Sequence, residues 1–476
     1  MKLPRNGSAA ANTFLVFAGA LLGTAITWWF APGGDFQEMQ SPKTASSKRS
    51  TRISSPQAPT VASISSETPA SLTGGERAEG FRTAGANAAR KSIKDALEEA
   101  AAITSRQDQL EFYRGLYGVW ASQDPLAALD YAKSNFQAGQ LLSDSIGIAM
   151  NKWADQDPRE AWLWADQNLT GPLKDRALTD LMIGWSRRSP EQAASWLTGT
   201  GLTSQPLFNA LAGTWAENDT DAATRWARSL RDGHAKDTAI VAVAGAGAAK
   251  DPKKPATDFS DLIGKAENLN LTIAIADIWA TTDPAATADW VNKMADGPSK
   301  NEAAATLATV WAASDIHAAV AWSKTIGNDD TRRQVIAHIG TTWGAIEPQA
   351  ALGWLSSLPS NEASDGVTGS LYSWAGTDPV GMQEWIDGAG GDPLADRARR
   401  SLGDVLAQTS QPDAMTLALG MSSEVTRNET LTRYFRDWRK TDDAAAQDWL
   451  QSNWATLPAT AQKQLAAEQA KVVIPR

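Results

Sequence analysis

The residues able to perform acid–base or metal chemistry are sparse in this chain and do not group. Its three histidines, His234, His317 and His338, lie far apart, and none has a second histidine at metal-ligand spacing. The chain has no cysteine, which excludes disulfides, thiolate ligands and a cysteine nucleophile. We therefore predict no catalytic residue, no cofactor-binding residue and no metal-binding residue.

Sequence motifs for nucleotide and hydrolase chemistry do not occur either. G-x-S-x-G, Walker A and H-E-x-x-H are missing, and the segment GAGAAKDP from Gly245 lacks the K-[ST] ending of a phosphate loop. Carboxylates such as Asp155, Asp157 and Glu160 fall where helix caps and first turns are expected, and the helix dipole favours them there. A glycosidase-like pair of carboxylates that meet only in space stays open as an alternative.

Tryptophan is the other residue type that could carry a function, since its ring stacks on sugars. The chain holds 21 tryptophans, and 17 of them lie on one regular lattice. The first of each pair occupies Trp120, Trp153, Trp185, Trp215, Trp279, Trp311, Trp343, Trp374 and Trp438; the second occupies Trp164, Trp196, Trp226, Trp290, Trp322, Trp354, Trp385 and Trp449, with Tyr131 in the first copy. A sugar site needs a few tryptophans in one place, whereas a core needs one in every repeat, so the lattice favours a core. Trp162 and Trp454 lie off the lattice and are predicted to be surface contacts.

The lattice defines about eleven copies of a unit of about 32 residues. Pairs such as Asp283-Pro284 predict an N-cap followed by the first position of a helix. Alanine three residues after the proline and tryptophan six after it share one helix face. Gly171, Gly233, Gly297 and Gly327 follow where this helix should stop, as left-handed C-caps would. A unit of two helices cannot bury its apolar stripe alone, so an all-α solenoid is predicted over residues 81–476.

The fifth unit departs from this pattern. Gly247 replaces the first tryptophan, Asp258 replaces the second, and Pro255 takes the usual place of alanine. Weak packing there predicts a hinge or an exposed groove between residues 81–245 and 260–470.

Helix pairs with Asp-Pro at the junction and an aromatic residue six positions later resemble tetratricopeptide repeats. Those repeats run 34 residues and carry a glycine and a tyrosine that are missing here, where Met294 and Lys324 fall instead. The frame WAxxDPxxAxxW is similar to that of uncharacterised membrane-anchored repeat proteins of bacterial envelopes. Both resemblances imply scaffolding or partner binding and supply no site residues.

The N-terminus predicts a membrane anchor. The uncharged run from Thr13 to Phe30 follows Lys2 and Arg5, and its 18 residues make about 27 Å of helix, close to the thickness of a hydrocarbon core. Trp28 and Trp29 lie at its far end, as in an interfacial belt. We expect a cytoplasmic tail at 1–12, an uncleaved signal anchor at 13–30 and a disordered Ser/Pro-rich linker at 31–80, with a cleaved signal peptide as the alternative. The repeat domain would then be periplasmic or otherwise extracytoplasmic.

These observations predict a non-enzymatic, membrane-tethered scaffold that binds protein or peptide partners. The net charge of −10 argues against a nucleic-acid partner. The alternative is an α/α-type enzyme or binding protein acting on envelope polysaccharide, and carbohydrate therefore stays open as a ligand. Toroidal enzymes of that type have fewer helix pairs and long catalytic loops.

Overall fold

The computed structural model describes residues 74–265, 268–389 and 392–471. The predicted tail, anchor and most of the linker lie outside the described residues. Within those described, no helix combines the length and the apolar character needed to cross a bilayer. The first helix begins at Gly74, inside the segment predicted as linker, and Arg77 ties it to the next long helix by an ion pair of 2.5 Å with Asp108.

The described part of the chain is all-α, as predicted. Its α-helices alternate between long and short ones along the chain: α1 (Gly74–Lys91), α2 (Ile93–Ala102), α3 (Arg106–Gln123), α4 (Pro125–Asn135), α5 (Gln140–Trp153), α6 (Pro158–Asn168), α7 (Gly171–Arg188), α8 (Pro190–Thr200), α9 (Gln205–Asn218), α10 (Thr220–Ser229), α11 (His234–Ala248), α12 (Lys253–Asp258), α13 (Leu269–Thr282), α14 (Pro284–Lys293), α15 (Pro298–Ser314), α16 (Ile316–Ser323), α17 (Asp329–Ile346), α18 (Pro348–Ser356), α19 (Ser360–Thr377), α20 (Pro379–Gly388), α21 (Pro393–Leu406), α22 (Gln411–Leu419), α23 (Glu424–Thr441), α24 (Asp443–Asn453) and α25 (Ala459–Gln469). A short 3₁₀ turn, Trp454–Thr456, precedes α25.

The helices form two layers. Successive odd-numbered helices from α1 to α21 pack directly on one another, and we call them the A layer together with α23 and α25. The even-numbered helices, the B layer, pack on the odd-numbered helices beside them. This arrangement confirms the predicted α-solenoid of helical repeats.

The corners between long and short helices repeat one backbone hydrogen bond, and most of them add a capping aspartate, a proline or both. In the corner at Asp283, the backbone N–H of Asp283 donates to the carbonyl of Trp279 (2.8 Å), and the Asp283 carboxylate accepts from the N–H of Ala286 (2.9 Å). Pro284 occupies the first helical position, where its missing N–H leaves no partner unsatisfied. The rings of Trp279 and Trp290 pack 5.6 Å apart across the corner. Nine aromatic pairs of this kind, with centroids 5.5 to 6.4 Å apart, hold the two layers together.

Burial divides the tryptophans by layer. Those of the A layer are buried, except the half-buried Trp311, whereas most of those of the B layer are half-buried at its surface. The prediction that Trp162 is a surface residue is wrong: it is 6% exposed, because its ring packs edge-on against Trp196 of the next unit. Trp454 is 39% exposed, as predicted.

Three of the four glycines predicted as C-caps belong to the helix that follows, and Gly327 does not cap one. Gly233 (φ +138°) and Gly297 (φ +153°) are the N-caps of α11 and α15, in backbone conformations that side chains rarely adopt. The preceding helix α10 ends at Ser229, and its C-cap residue Leu230 is extended. Gly171 has a positive φ but begins α7, and Gly327 has no positive φ, so the predicted left-handed C-caps are wrong at these positions.

The fifth unit is reduced, yet its aromatic position is filled. The short helix α12 has only six residues, and turns follow it. Phe259, one residue after the expected place, is 1% exposed and lies under the guanidinium of Arg228, 5.2 Å from its ring centroid. Arg228 also pairs with Asp261 (2.7 Å), so the segment is tied to α10. The predicted hinge stays a prediction.

Candidate partner-binding surface

One row of residues runs along the open side of the A layer. Each residue turns a helix by about 100°. The side chain two residues before the corner tryptophan is therefore rotated about 200° around the helix axis from the tryptophan, onto nearly the opposite face. The tryptophan faces the B layer, so this row faces away from it. We call the row the open stripe: Gly118, Asn151, Ile183, Gly213, Gly245, Asp277, Thr309, Thr341, Tyr372, Asp404 and Arg436, each at least partly exposed. In the tenth unit Leu406 takes the tryptophan's place, since its carbonyl accepts from the N–H of Ser410 (2.7 Å).

Charged side chains around the first stripe residues are paired with one another. Arg82 binds Glu111 at 2.7 Å, and Arg114 binds both Glu111 and, at 2.7 Å, Asp144. The acidic partners are largely shielded from solvent, which strengthens such pairs relative to exposed ones. This chain of ion pairs joins α1, α3 and α5 and leaves little charge free for a ligand.

Three stripe residues are glycines with little or nothing above them. A Cβ added at Gly118 or Gly213 would meet no heavy atom within 4 Å, and one at Gly245 would make only an ordinary contact of 3.6 Å with Ile278. Gly115, in contrast, has the carbonyl oxygen of Arg82 1.8 Å from the place of its Cβ, so helix packing requires that glycine. Glycine inside a helix costs about 0.5–1 kcal/mol relative to alanine. At these stripe positions no packing contact explains that cost.

The middle of the stripe carries half-buried polar groups. Asp277 and Glu302 make no ion pair or side-chain hydrogen bond with described residues, and burial raises the pKa of each carboxyl. His338 lies 3.0 Å from Thr309 through Nδ1, and burial lowers its pKa. His234 is exposed at the start of α11.

The histidines are not brought together by the fold. His317 contacts Trp343 edge-on, with ring centroids 6.4 Å apart, in a different unit from His234 and next to that of His338. In the part of the chain that the structure describes, no three His, Asp or Glu side chains converge as metal ligands. Surface depressions lie beside Phe136 and beside Pro348. The second is lined by Glu347, Asp378 and Glu384, of which Asp378 caps the helix that follows it and Glu347 accepts from the indole N–H of Trp343.

At the C-terminal end of the stripe, Asp404 is the centre of a polar network across three long helices. It accepts hydrogen bonds from the hydroxyls of Tyr372 and Tyr434 (2.8 Å for the latter), and it pairs with Arg433 at 2.5 Å. Burial and the hydrogen bond to Asp404 raise the pKa of Tyr372 to about 12, so both tyrosines stay protonated donors. Tyr434 also donates to the carbonyl of Arg400 (3.1 Å), and its ring packs closely against Gly403.

Comparison with known proteins adds little to this description. No family model matches the chain, and no curated protein matches it. A match was found to the solved structure described as "Structural Basis of Tubulin Recruitment and Assembly by Microtubule Polymerases with Tumor Overexpressed Gene (TOG) Domain Arrays", at 10% identity, covering 79% of this chain and 100% of that chain, with a TM-score of 0.24. At that TM-score the likeness supports no conclusion about the function of this chain.

The open stripe was not among the sequence predictions, although a signal for it exists. Its partners are separated by about one repeat length: Arg114 and Asp144 are 30 residues apart, and Thr309 and His338 are 29 apart. Pairs of polar residues at that spacing on the face opposite the tryptophan indicate neighbours on adjacent long helices.

Proposed function

We propose that this chain is a non-enzymatic helical-repeat scaffold that binds a protein or peptide partner along the open stripe. The observation that carries the proposal is the pair of stripe glycines above empty space, Gly118 and Gly213, with Gly245, where an added Cβ would make only an ordinary contact. Glycine at such places lets another backbone approach closely. The B layer also has helical glycines above empty space, such as Gly353, but the stripe glycines share one register, two residues before the corner position of a long helix. The exposed apolar side chains of the B layer, such as Leu163 and Val380, are scattered singly, which is normal for a soluble surface.

The test is to block the stripe with a large side chain. Gly213→Arg places a long side chain on the stripe, whereas the matched control Gly353→Arg places one on the B layer, where an added Cβ likewise meets nothing within 4 Å. Proteins bound to full-length chain are compared by quantitative mass spectrometry. We expect a defined set that is retained by wild type and Gly353→Arg and lost by Gly213→Arg. An identical set in all three, or loss in both variants alike, would refute the proposal.

We further propose that residues 13–30 tether the scaffold to a membrane, with the tail at 1–12 cytoplasmic and the repeat domain on the outer side. The uncharged run, the preceding Lys2 and Arg5, and the terminal Trp28-Trp29 support this arrangement. Full-length protein should stay with membranes through salt and carbonate washing. Recovery of soluble protein that begins near Pro32 would show instead that the segment is a cleaved signal peptide.

A further inference from the structure

The C-terminal end of the open stripe concentrates positive charge in an acidic protein. Helices α21 and α23 together carry eight Lys/Arg and five Asp/Glu, a charge of +3 in a chain whose net charge is −10. Several of these arginines serve the fold. Arg433 is held by Asp404, Arg439 binds Asp443 (2.6 Å) and the carbonyl of Glu468, and Arg399 binds Asp396 (3.0 Å).

Three exposed arginines on or beside the stripe make no close ion pair with a carboxylate in the described part of the chain. Arg397 donates to the carbonyl of Ser364 (3.0 Å) and the hydroxyl of Thr368 (2.8 Å), which hold its side chain in place. Arg400, one turn further along α21, makes no ion pair with a described residue. Arg436 lies 3.9 Å from Asp437, a carboxylate that Lys440 already binds at 2.6 Å.

The arrangement is costly for the fold by itself. Arg397 and Arg400 are three residues apart on one helix face, where like charges repel. Asp365 is the carboxylate that faces Arg397, and its attraction does not offset the burial that lowers the pKa of Arg397. An anionic ligand would offset the repulsion between the two guanidinium groups, since arginine binds carboxylates through paired N–H groups.

Tyr372 adds an exposed aromatic side chain to this end of the open stripe. Its side chain is 40% exposed, yet its hydroxyl is fixed by the hydrogen bond to Asp404. A tyrosine whose orientation is already set loses little conformational entropy when it contacts a partner, and tyrosine and arginine are the residue types enriched where binding energy concentrates.

We propose that Arg397, Arg400 and Arg436, with Tyr372, form a docking site for an acidic, extended segment of a partner protein. The inference rests on the proposed function, because it names the chemistry of the partner at one end of the open stripe. Charge complementarity carries it: Arg397 and Arg400 lie one turn apart on α21, and Arg436 lies on α23, so the acidic residues of an extended segment would meet several positive charges.

The experiment measures fluorescence anisotropy of a fluorescein-labelled decaglutamate peptide with full-length protein in mild detergent. The variant Arg397→Gln/Arg400→Gln should weaken binding by about 5- to 20-fold, the effect of removing charged pairs from an interface, and should not destabilise the fold. Arg187→Gln removes an exposed charge from α7, far along the chain from the site, and should leave the affinity within about twofold, as screening predicts for distant charges. A decaglutamine peptide should not bind.

Several results would overturn the inference. Decaglutamate that does not bind at low salt, or that binds the arginine variant as well as wild type, excludes the site. Equal weakening by Arg187→Gln shows only a general charge effect. Tighter binding of a sulfated polysaccharide fragment than of decaglutamate, lost in the same arginine variant, assigns the site to carbohydrate polyanions instead of a protein segment.

Failure here is distinguishable from failure of the proposed function. If the acidic segment is wrong but the scaffold is right, Gly213→Arg still removes bound proteins while Arg397→Gln/Arg400→Gln removes none. If decaglutamate binds as expected but Gly213→Arg removes no protein, the anionic site stands and the stripe is not a general partner surface.

Discussion

Two glycines one turn apart on α3 should respond oppositely to the same substitution. Gly115→Ala places a Cβ 1.8 Å from the carbonyl oxygen and 2.8 Å from the carbonyl carbon of Arg82, both backbone atoms of α1. Backbone cannot rotate away as a side chain can, so the two helices must separate. Gly118→Ala places a Cβ where no heavy atom lies within 4 Å.

The magnitudes follow from these contacts. Gly118→Ala should stabilise by about 0.5–1 kcal/mol, the helix preference for alanine over glycine. Gly115→Ala gains the same preference but overpacks a close interface, and overpacking costs about 1–3 kcal/mol, occasionally more. Separation of α1 from α3 also weakens the ion pair between Arg82 and Glu111. The two variants should therefore differ by about 1–3 kcal/mol, with Gly115→Ala the less stable.

Urea unfolding of the helical domain, followed by tryptophan fluorescence and circular dichroism, measures this difference. Because repeat arrays can unfold regionally, the N-terminal transition is the one to compare. Gly85→Ala is the matched test from the other helix, since its Cβ would lie 2.0 Å from the carbonyl oxygen of Phe112, and it should lose stability as Gly115→Ala does. Equal stability of Gly115→Ala and Gly118→Ala would refute the close packing of α1 on α3.

Three further predictions concern the core, a buried charge and the fifth unit. Trp185→Ala, at a 1% exposed position, should cost about 3–5 kcal/mol in urea unfolding, whereas Trp454→Ala should cost well under half of that; similar costs would show that the lattice is not the core. Asp277→Asn should be more stable than wild type at neutral pH. Burial raises the pKa of this carboxyl above its usual 3.8, so charging it costs stability as the pH rises. The difference in unfolding free energy should vanish below pH 3.8, and a pH-independent difference would contradict the assignment. Limited proteolysis should cut first between Gly245 and Asp261, and faster in Arg228→Ala, which loses the ion pair to Asp261; resistance of that segment in both proteins would exclude a hinge.

The layered solenoid was predictable because its determinants are local and repeated. A capping Asp, a first-turn proline or both mark most short helices, and the structure shows the same backbone bond at Asp283 as in the other corners. The burial of Trp162 was not predictable, because it depends on Trp196 of the next unit. The role of Phe259 was not predictable either. It fills the place of the missing tryptophan from one residue further along the chain, directly after the shortened helix α12.

The open stripe could not be predicted from the sequence for a different reason. Its members have no common residue type, so no motif marks them, and only the register of each helix relative to its tryptophan brings them into one row. The network around Asp404 joins residues 29 to 32 positions apart, which is one repeat length. The paired residues can therefore be found in the sequence by their spacing. They are recognised as contacts only once it is known that adjacent long helices pack directly on one another.

Site-specific photo-crosslinking tests most directly whether the open stripe binds a partner. A photoreactive p-benzoylphenylalanine replaces Ile183, a partly exposed stripe residue of α7, or Leu163, a 52% exposed residue of the neighbouring helix α6 in the B layer. Both are aliphatic, and they belong to successive helices of the array, so folding and expression are matched. After irradiation of cells, we expect discrete adducts from position 183 and none from position 163. Adducts only from position 163, or equal adducts from both, would contradict the account.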